Sequence, residues 1–413
     1  MPKIKPFYGI RPNPDYAGDV VLHMENLSLE EAKIIRQKNP YSYVNMLVPK
    51  LDNLFLRGSK NELAFKKINE NFEEFLDKGV LIRDNKACIY IYRTSRFGRI
   101  QTGIWTVTSI DDYLNNNIRR HELTRPDREK VLVNYLQQTG IDANPVLITY
   151  SGNPEIDVII EKACMLTPDL SFEKLGSKHE LWKLDREEDI KALIDEFVDL
   201  PSAYIADGHH RAAAAARLAM GQRRLNPKFT GEEEYNFFTS VYMAFDQLDI
   251  FGFNRIIEDL NGLTPDKFLE HLGHLFTITK KSSNQVVVPL ELHEFGMYLD
   301  GLWYKLVARM HTIESDKAVD ELDVSILQKH VLAQLLDIPD PATNSRISFS
   351  GGLLPVDTLM KELESGAHAV VFILFPTTIK QLICVADAGE VMPPKSTWFE
   401  PKFQAGLLIH QIS

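Results

Sequence analysis

The sequence predicts an α+β fold, a mixed sheet with helices packed on it. Three observations carry this. Two pairs of strand-like runs, at 87–109 and 296–308, are joined by tight turns and read as hairpins. Several runs repeat apolar residues at helical spacing, among them Leu63–Asp77 and Leu322–Leu336. Between them, Ser202–Arg217 (SAYIADGHHRAAAAAR) passes from an apolar strand through an Asp-Gly turn into an alanine-rich helix, the strongest helix-forming composition available.

Taken in order, the opening Lys5-Pro-Phe-Tyr-Gly-Ile-Arg-Pro12 is extended by its prolines. A helix follows over Leu29–Gln37, started by Ser28 with Glu30 and Glu31 and stopped by Asn39-Pro40. The next helix, Leu63–Asp77, buries Phe65, Ile68, Phe72 and Phe75 on one face. Ala87–Arg93 and Ile100–Ser109 form a hairpin across Ser-Arg-Phe-Gly. Helices are expected over Glu129–Gln138, Pro154–Cys164 and Glu187–Val198, and strands over Val146–Tyr150 and Trp182–Leu184. Tyr235–Phe245 has the aromatic and β-branched content to lie next to Ser202–Ala206 in one sheet. Phe251–Ile256 should bring Asn254 and Arg255 to a strand end. The last third holds a helix from Pro265, a hairpin around Asp300-Gly301, helices over Leu322–Leu336 and Val356–Glu364, and an apolar strand, Ala369–Phe375.

With 413 residues, 44% of them hydrophobic, the chain can bury a large core. No apolar run approaches the roughly 18 residues that cross a bilayer, so a cytoplasmic location without membrane contact is expected. The net charge of −11 argues against general nucleic-acid binding. Cys88, Cys164 and Cys384 are far apart in apolar segments and read as buried thiols. Neither a Walker loop, a dinucleotide fingerprint, a nucleophile elbow nor a zinc-protease helix is present.

The chemistry concentrates at the strand-to-helix junction. Gly208 can take a backbone conformation closed to other residues, and Asp207 can cap the first helical turn. The amides there point outward at the positive end of the helix dipole, and His209, His210 and Arg211 add donors, which suits a phosphate or another anion. A zinc site and a structural turn are the alternative uses of the same residues. A second polar stretch, Arg120–Lys130, places Glu122 beside His121. That carboxylate is either a general base or, with Asp127, helix-terminal charge.

These residues match a known pattern. Lys5-Pro-Phe-x-Gly-x-Arg11, Tyr92-Arg93, Thr102-Gly103, Asp112-Tyr113, His121-Glu122-x-Thr124, Asp127-Arg128, Asn144-Pro145, Ala206-Asp-Gly-His-His-Arg211, Asn254-Arg255 and Met392-Pro-Pro-Lys-Ser-Thr-Trp-Phe-x-Pro-Lys402 together resemble the domain of unknown function 1015 family. The Gly-His-His-Arg core is similar to the phosphate-binding turn of the ParB and sulfiredoxin superfamily, and free serine kinases carry the same Asp-Gly-His-His-Arg string. The resemblance implies a ParB/sulfiredoxin-like core at 118–260 between N-terminal and C-terminal regions at 1–117 and 261–413. It implies a nucleotide-dependent phosphotransferase acting on a small hydroxylated metabolite such as serine, with ATP or ADP and magnesium. A nucleotide-binding switch and a nucleotide hydrolase are the alternatives. Gly208, His209, His210 and Arg211 would hold phosphates. Glu122, Asp207 and His210 would be catalytic, with Asp207 also on the metal. His121, Thr124, Arg128, Asn254, Arg255 and Lys395 would contact substrate. A homodimer is left open. Relatives place Tyr-Glu-Thr after the arginine, where this chain has Ala212-Ala213-Ala214.

Overall fold

The structure is a computed structural model that describes residues 2–25, 27–47, 59–281, 286–313, 316–351 and 368–412. It divides into two compact units: Met1–Arg120 with Thr124–Leu248 and Pro401–Ser413, and His121–Leu123 with Asp249–Glu400. No helix among the described residues is long and apolar enough to cross a membrane.

The first unit is built on a mixed sheet, as expected from the sequence. Its strands run, edge to edge, Leu170–Lys174, Ser177–Leu184, Ile89–Arg96, Arg99–Ser109, Phe237–Ala244, Val146–Tyr150, Ala203–Asp207 and Ile118–Arg119, with Ile4–Lys5 also paired to Arg99–Ser109. The hairpin at 89–109 turns at Phe97-Gly98, both at positive φ. Phe237–Ala244 shares the sheet with Ala203–Asp207 but is not its neighbour. Val146–Tyr150 separates them, parallel to the first and antiparallel to the second. Val146–Tyr150, apolar but for Thr149, whose hydroxyl donates to the Met243 carbonyl, fits the buried centre of a sheet, and all five of its residues are buried.

Local chemistry sets the helices. Leu29–Lys38 starts on a capping box in which Ser28 and Glu31 satisfy each other's amides. Pro126–Thr139 begins three residues earlier than expected, because Pro126 occupies a first-turn position where its missing N–H is harmless. This helix packs against His209–Leu225. Ala212, Ala213, Ala214, Ala215 and Ala216 are all buried, and all but Ala214 join Ile148, Ile205 and Phe238 in the core of the unit. The triple alanine after Arg211 thus lies inside the unit, where a change of side-chain volume is felt by the packing. Residues 401–412 return to this unit: Gln404–Ala405 pairs with Leu22–His23, His410–Gln411 pairs with Ile141–Asp142, and Ile409 bridges Ile10.

The second unit holds a six-stranded antiparallel sheet in the order Phe276–Lys280, Leu302–Ala308, Glu294–Leu299, Val370–Leu374, Phe253–Ile257, Ile347–Gly351. Ile256, Val287, Trp303, Val371 and Ile373 cluster in its core. The hairpin at Asp300-Gly301 forms as the sequence predicts. Leu322–Leu336 is not one α-helix. It is α-helical over Asp323–Leu327 and continues as a π-helix over Gln328–Ala333. The helix expected over Val356–Glu364 lies outside the described residues.

Candidate functional site at the Asp207–Arg211 turn

The strand Ala203–Asp207 reaches Gly208, and the 17-residue helix His209–Leu225 begins immediately after it. Gly208 lies at φ 97°, ψ 25°, a region that residues with a Cβ avoid. A Cβ at this position would also stand 2.8 Å from Nε of Arg211. The backbone thus favours glycine, and a Cβ would oblige the Arg211 guanidinium to shift. No side chain caps the helix, contrary to the role expected of Asp207. The Gly208 carbonyl instead accepts the amides of Arg211 at 2.9 Å and Ala212 at 3.0 Å. The positive end of the helix dipole remains at the turn.

The Asp207 carboxylate turns toward cations. Its Oδ2 accepts from Nη2 of Arg211 at 3.2 Å and lies 3.5 Å from Nζ of Lys402. Lys402 in turn stands 3.9 Å from Glu25. Burial works to raise the Asp207 carboxyl, but Lys402, Arg211 and His209 outweigh it and hold the group well below the usual carboxylate range. Arg211 is anchored on its other side, where Nη1 donates to Oδ1 of Asn144 and to the Pro145 carbonyl. The Asn144-Pro145 break is thereby tied to the turn. Asp207 thus pairs with two cations, Arg211 and Lys402. Among the described residues, no group of three or more His, Cys, Asp or Glu could hold a metal.

The two histidines differ. His209 is only 3% exposed, so its imidazole is packed inside the unit. Nε2 of His210 accepts the Arg125 amide at 3.0 Å, which fixes the neutral tautomer with its proton on Nδ1. Burial, aided by Arg128 and Arg125, lowers the His210 pKa against the opposing pull of Glu129 and Asp127. His210 is therefore a neutral imidazole with its donor on Nδ1.

The other expected residues divide between the units. Thr124 and Arg128 belong with the turn, and Thr124 donates to Glu129. His121, Glu122, Asn254, Arg255 and Lys395 belong to the second unit. There His121 is buried, Glu122 is exposed, and Lys395 holds a positive φ of 58° with Nζ 4.9 Å above the Phe253 ring. Arg255 is not at a strand end. It lies in the middle of Phe253–Ile257, 2% exposed, and Nη2 donates to the Lys395 carbonyl at 2.9 Å. Lys402 was not among the residues expected at the site. Its basic, proline-rich surroundings were a sequence signal, but its pairing with Asp207 spans 195 positions.

Arg211 and Asn144 also line a cavity of about 110 Å³ within the first unit.

The family model described as "Protein of unknown function (DUF1015)" matches residues 4–325. No curated protein matches the sequence. Among solved structures, the chain is similar to a free serine kinase variant in complex with ADP, at 14% identity over 75% of this chain and 91% of that one, with a TM-score of 0.38. It is also similar to a conserved hypothetical protein from Pyrococcus furiosus, at 14% identity over 75% and 94% of the two chains and a TM-score of 0.35. A third is SbnI with a C-terminal truncation from Staphylococcus aureus, at 13% identity over 72% and 82%, with a TM-score of 0.35.

Proposed function

The chain belongs to the DUF1015 family, and from that footing we propose that it is a nucleotide-dependent phosphotransferase whose turn at 207–211 seats the phosphates of ATP or ADP. The observation that carries this reading is the left-handed Gly208 opening a 17-residue helix without a side-chain cap. Such a terminus directs its dipole and first amides at an anion. Arg211 and Lys402, both drawn to Asp207, add positive charge beside it. Phosphoryl transfer asks a protein mainly for positioning and charge neutralisation, and these groups supply both. The acceptor is a small hydroxylated metabolite of the serine type. Its hydroxyl must lose a proton as the new bond to phosphorus forms, and Glu122 is the carboxylate that the resemblance of the Asp-Gly-His-His-Arg string to free serine kinases implies for that step.

The reading is tested by nucleotide titration calorimetry together with a transfer assay. Lys402→Met should weaken ATP and ADP at least tenfold, because an ammonium beside the phosphates is lost while Arg211 keeps its anchors on Asn144 and Pro145. Unchanged nucleotide affinity in that variant would remove the phosphate seat. Glu122→Ala should abolish transfer and leave nucleotide affinity intact. Normal turnover would remove Glu122 as the base. A nucleotide-binding switch is the second reading. It is favoured by the engagement of the turn's own side chains, with Asp207 on two cations and His210 on a backbone amide. Nucleotide binding with no transfer to any hydroxylated acceptor would select it.

A further inference from the structure

The cavity beside Arg211 has an apolar wall, including Leu136 and Phe238, interrupted by a few polar groups. Most of those groups are already engaged. Oδ1 of Asn144 accepts from Arg211, whose guanidinium makes three hydrogen bonds. The hydroxyls of Tyr43 and Tyr135 lie 3.4 Å apart, and that of Tyr135 donates to the Met46 carbonyl at 3.0 Å. Asp142 is different. Its Oδ2 accepts the Thr239 amide at 2.8 Å, and no cation among the described residues comes within salt-bridge distance of it. Arg211 and His410 act on it only at longer range, and a carboxylate taken from water without a directly paired cation is costly to keep, so a cation brought by a ligand would relieve it.

We propose that this cavity is a binding site for a small aliphatic primary amine, its ammonium on the Asp142 carboxylate and the tyrosine hydroxyls, its carbon chain against Leu136 and Phe238. Three features of the site select this class. An ammonium has three donors, and Asp142, Tyr43 and Tyr135 present acceptor oxygens. A carboxylate ligand would meet Asp142 as a like charge and find the Arg211 guanidinium already bonded. The volume of about 110 Å³ admits about four or five non-hydrogen atoms at roughly 20–30 Å³ each, so the chain is short. This proposal does not depend on phosphate binding at the turn.

The charged and titratable groups facing Asp142 are Arg211 from the helix 209–225, His410 from the C-terminal strand, and the phenols of Tyr43 and Tyr135. Burial pushes the Asp142 carboxyl up to about 6, with the Thr239 amide, His410 and Arg211 pulling the other way. Amine binding should therefore weaken as the pH falls through 6 and Asp142 takes up a proton.

The test is titration calorimetry of the full chain at pH 7.5 with n-butylamine, and with n-butanol and butyrate for comparison. The amine should bind saturably and at least tenfold more tightly than the alcohol, with no binding of butyrate. Asp142→Asn keeps an acceptor for the Thr239 amide and should lose at least tenfold in amine affinity. The unmodified chain, titrated from pH 7.5 to 5, should show a similar loss, which keeps the test independent of any variant's folding. Absence of saturable amine binding, equal affinity for butanol, or an affinity unaffected by both Asp142→Asn and pH would each overturn the proposal.

Discussion

Replacing Gly208 with alanine tests whether the turn and the Arg211 anchor are one unit. The φ of 97° alone penalises a Cβ by about 1–2 kcal/mol. The new methyl would also fall 2.8 Å from Nε and 2.9 Å from Nη2 of Arg211, closer than van der Waals contact allows. The guanidinium must move, and losing one of its three bonds to Asn144, Pro145 and Asp207 adds about 1.5–3 kcal/mol for a charged, part-buried group. Gly208→Ala should thus destabilise the turn by about 2.5–5 kcal/mol. In an Arg211→Ala background the space is open, and only the backbone contribution of about 1–2 kcal/mol should remain. Peptide-resolved hydrogen exchange over the helix 209–225 reads this local stability directly in all four chains of the cycle. An equal loss from Gly208→Ala in both backgrounds would refute the coupling between glycine and guanidinium.

Two further outcomes follow from other sites. His179 is 2% exposed, bonded to the Tyr92 hydroxyl at 2.7 Å, and burial pushes its pKa down to about 4. The unfolded chain binds the extra proton first, so the contribution of His179 is complete above its unfolded value of about 6.5 and falls away as the pH drops toward 4, by up to roughly 3 kcal/mol. Urea midpoints measured from pH 7.5 to 4 should fall less steeply in His179→Phe than in the unmodified chain, and parallel slopes would exclude His179 as the cause. Ser28→Ala removes the capping box of Leu29–Lys38 and should lower that helix's stability by about 1 kcal/mol, read as faster amide exchange in its first turn.

Features governed by neighbours in the chain were legible in the sequence. The capping box at Ser28, the hairpin across Phe97-Gly98, the Asp300-Gly301 turn and the junction at Gly208 all follow from residues within four or five positions of each other. Features that depend on distant pairing were not. Apolar content placed Phe237–Ala244 in the right sheet, but nothing local indicates that Val146–Tyr150 separates it from Ala203–Asp207. Arg255 was expected at a strand end, yet it lies inside the sheet, where backbone carbonyls and the Phe349 ring receive it. The helix Ile379–Asp387 escaped notice, and its N-cap Thr378 with Gln381 three positions on is a capping signature that was available. At the site, the polar character of Asp207 was legible but its orientation was not. Whether it caps a helix or gathers cations depends on Lys402, 195 positions away.

The connectivity around Lys402 bears on how the turn matures. Residues 249–400 are an insertion in the sequence of the first unit, which resumes only at 401. A growing chain that has emerged as far as Leu248 already contains Asp207, Gly208 and Arg211, along with the Asn144 and Pro145 that anchor the arginine. It lacks Lys402 and the pairing of Gln404–Ala405 with Leu22–His23 that ties the returning segment down. Since domains fold as units, the first unit cannot be complete, nor Asp207 meet its second cation, until the inserted residues have been synthesised in full.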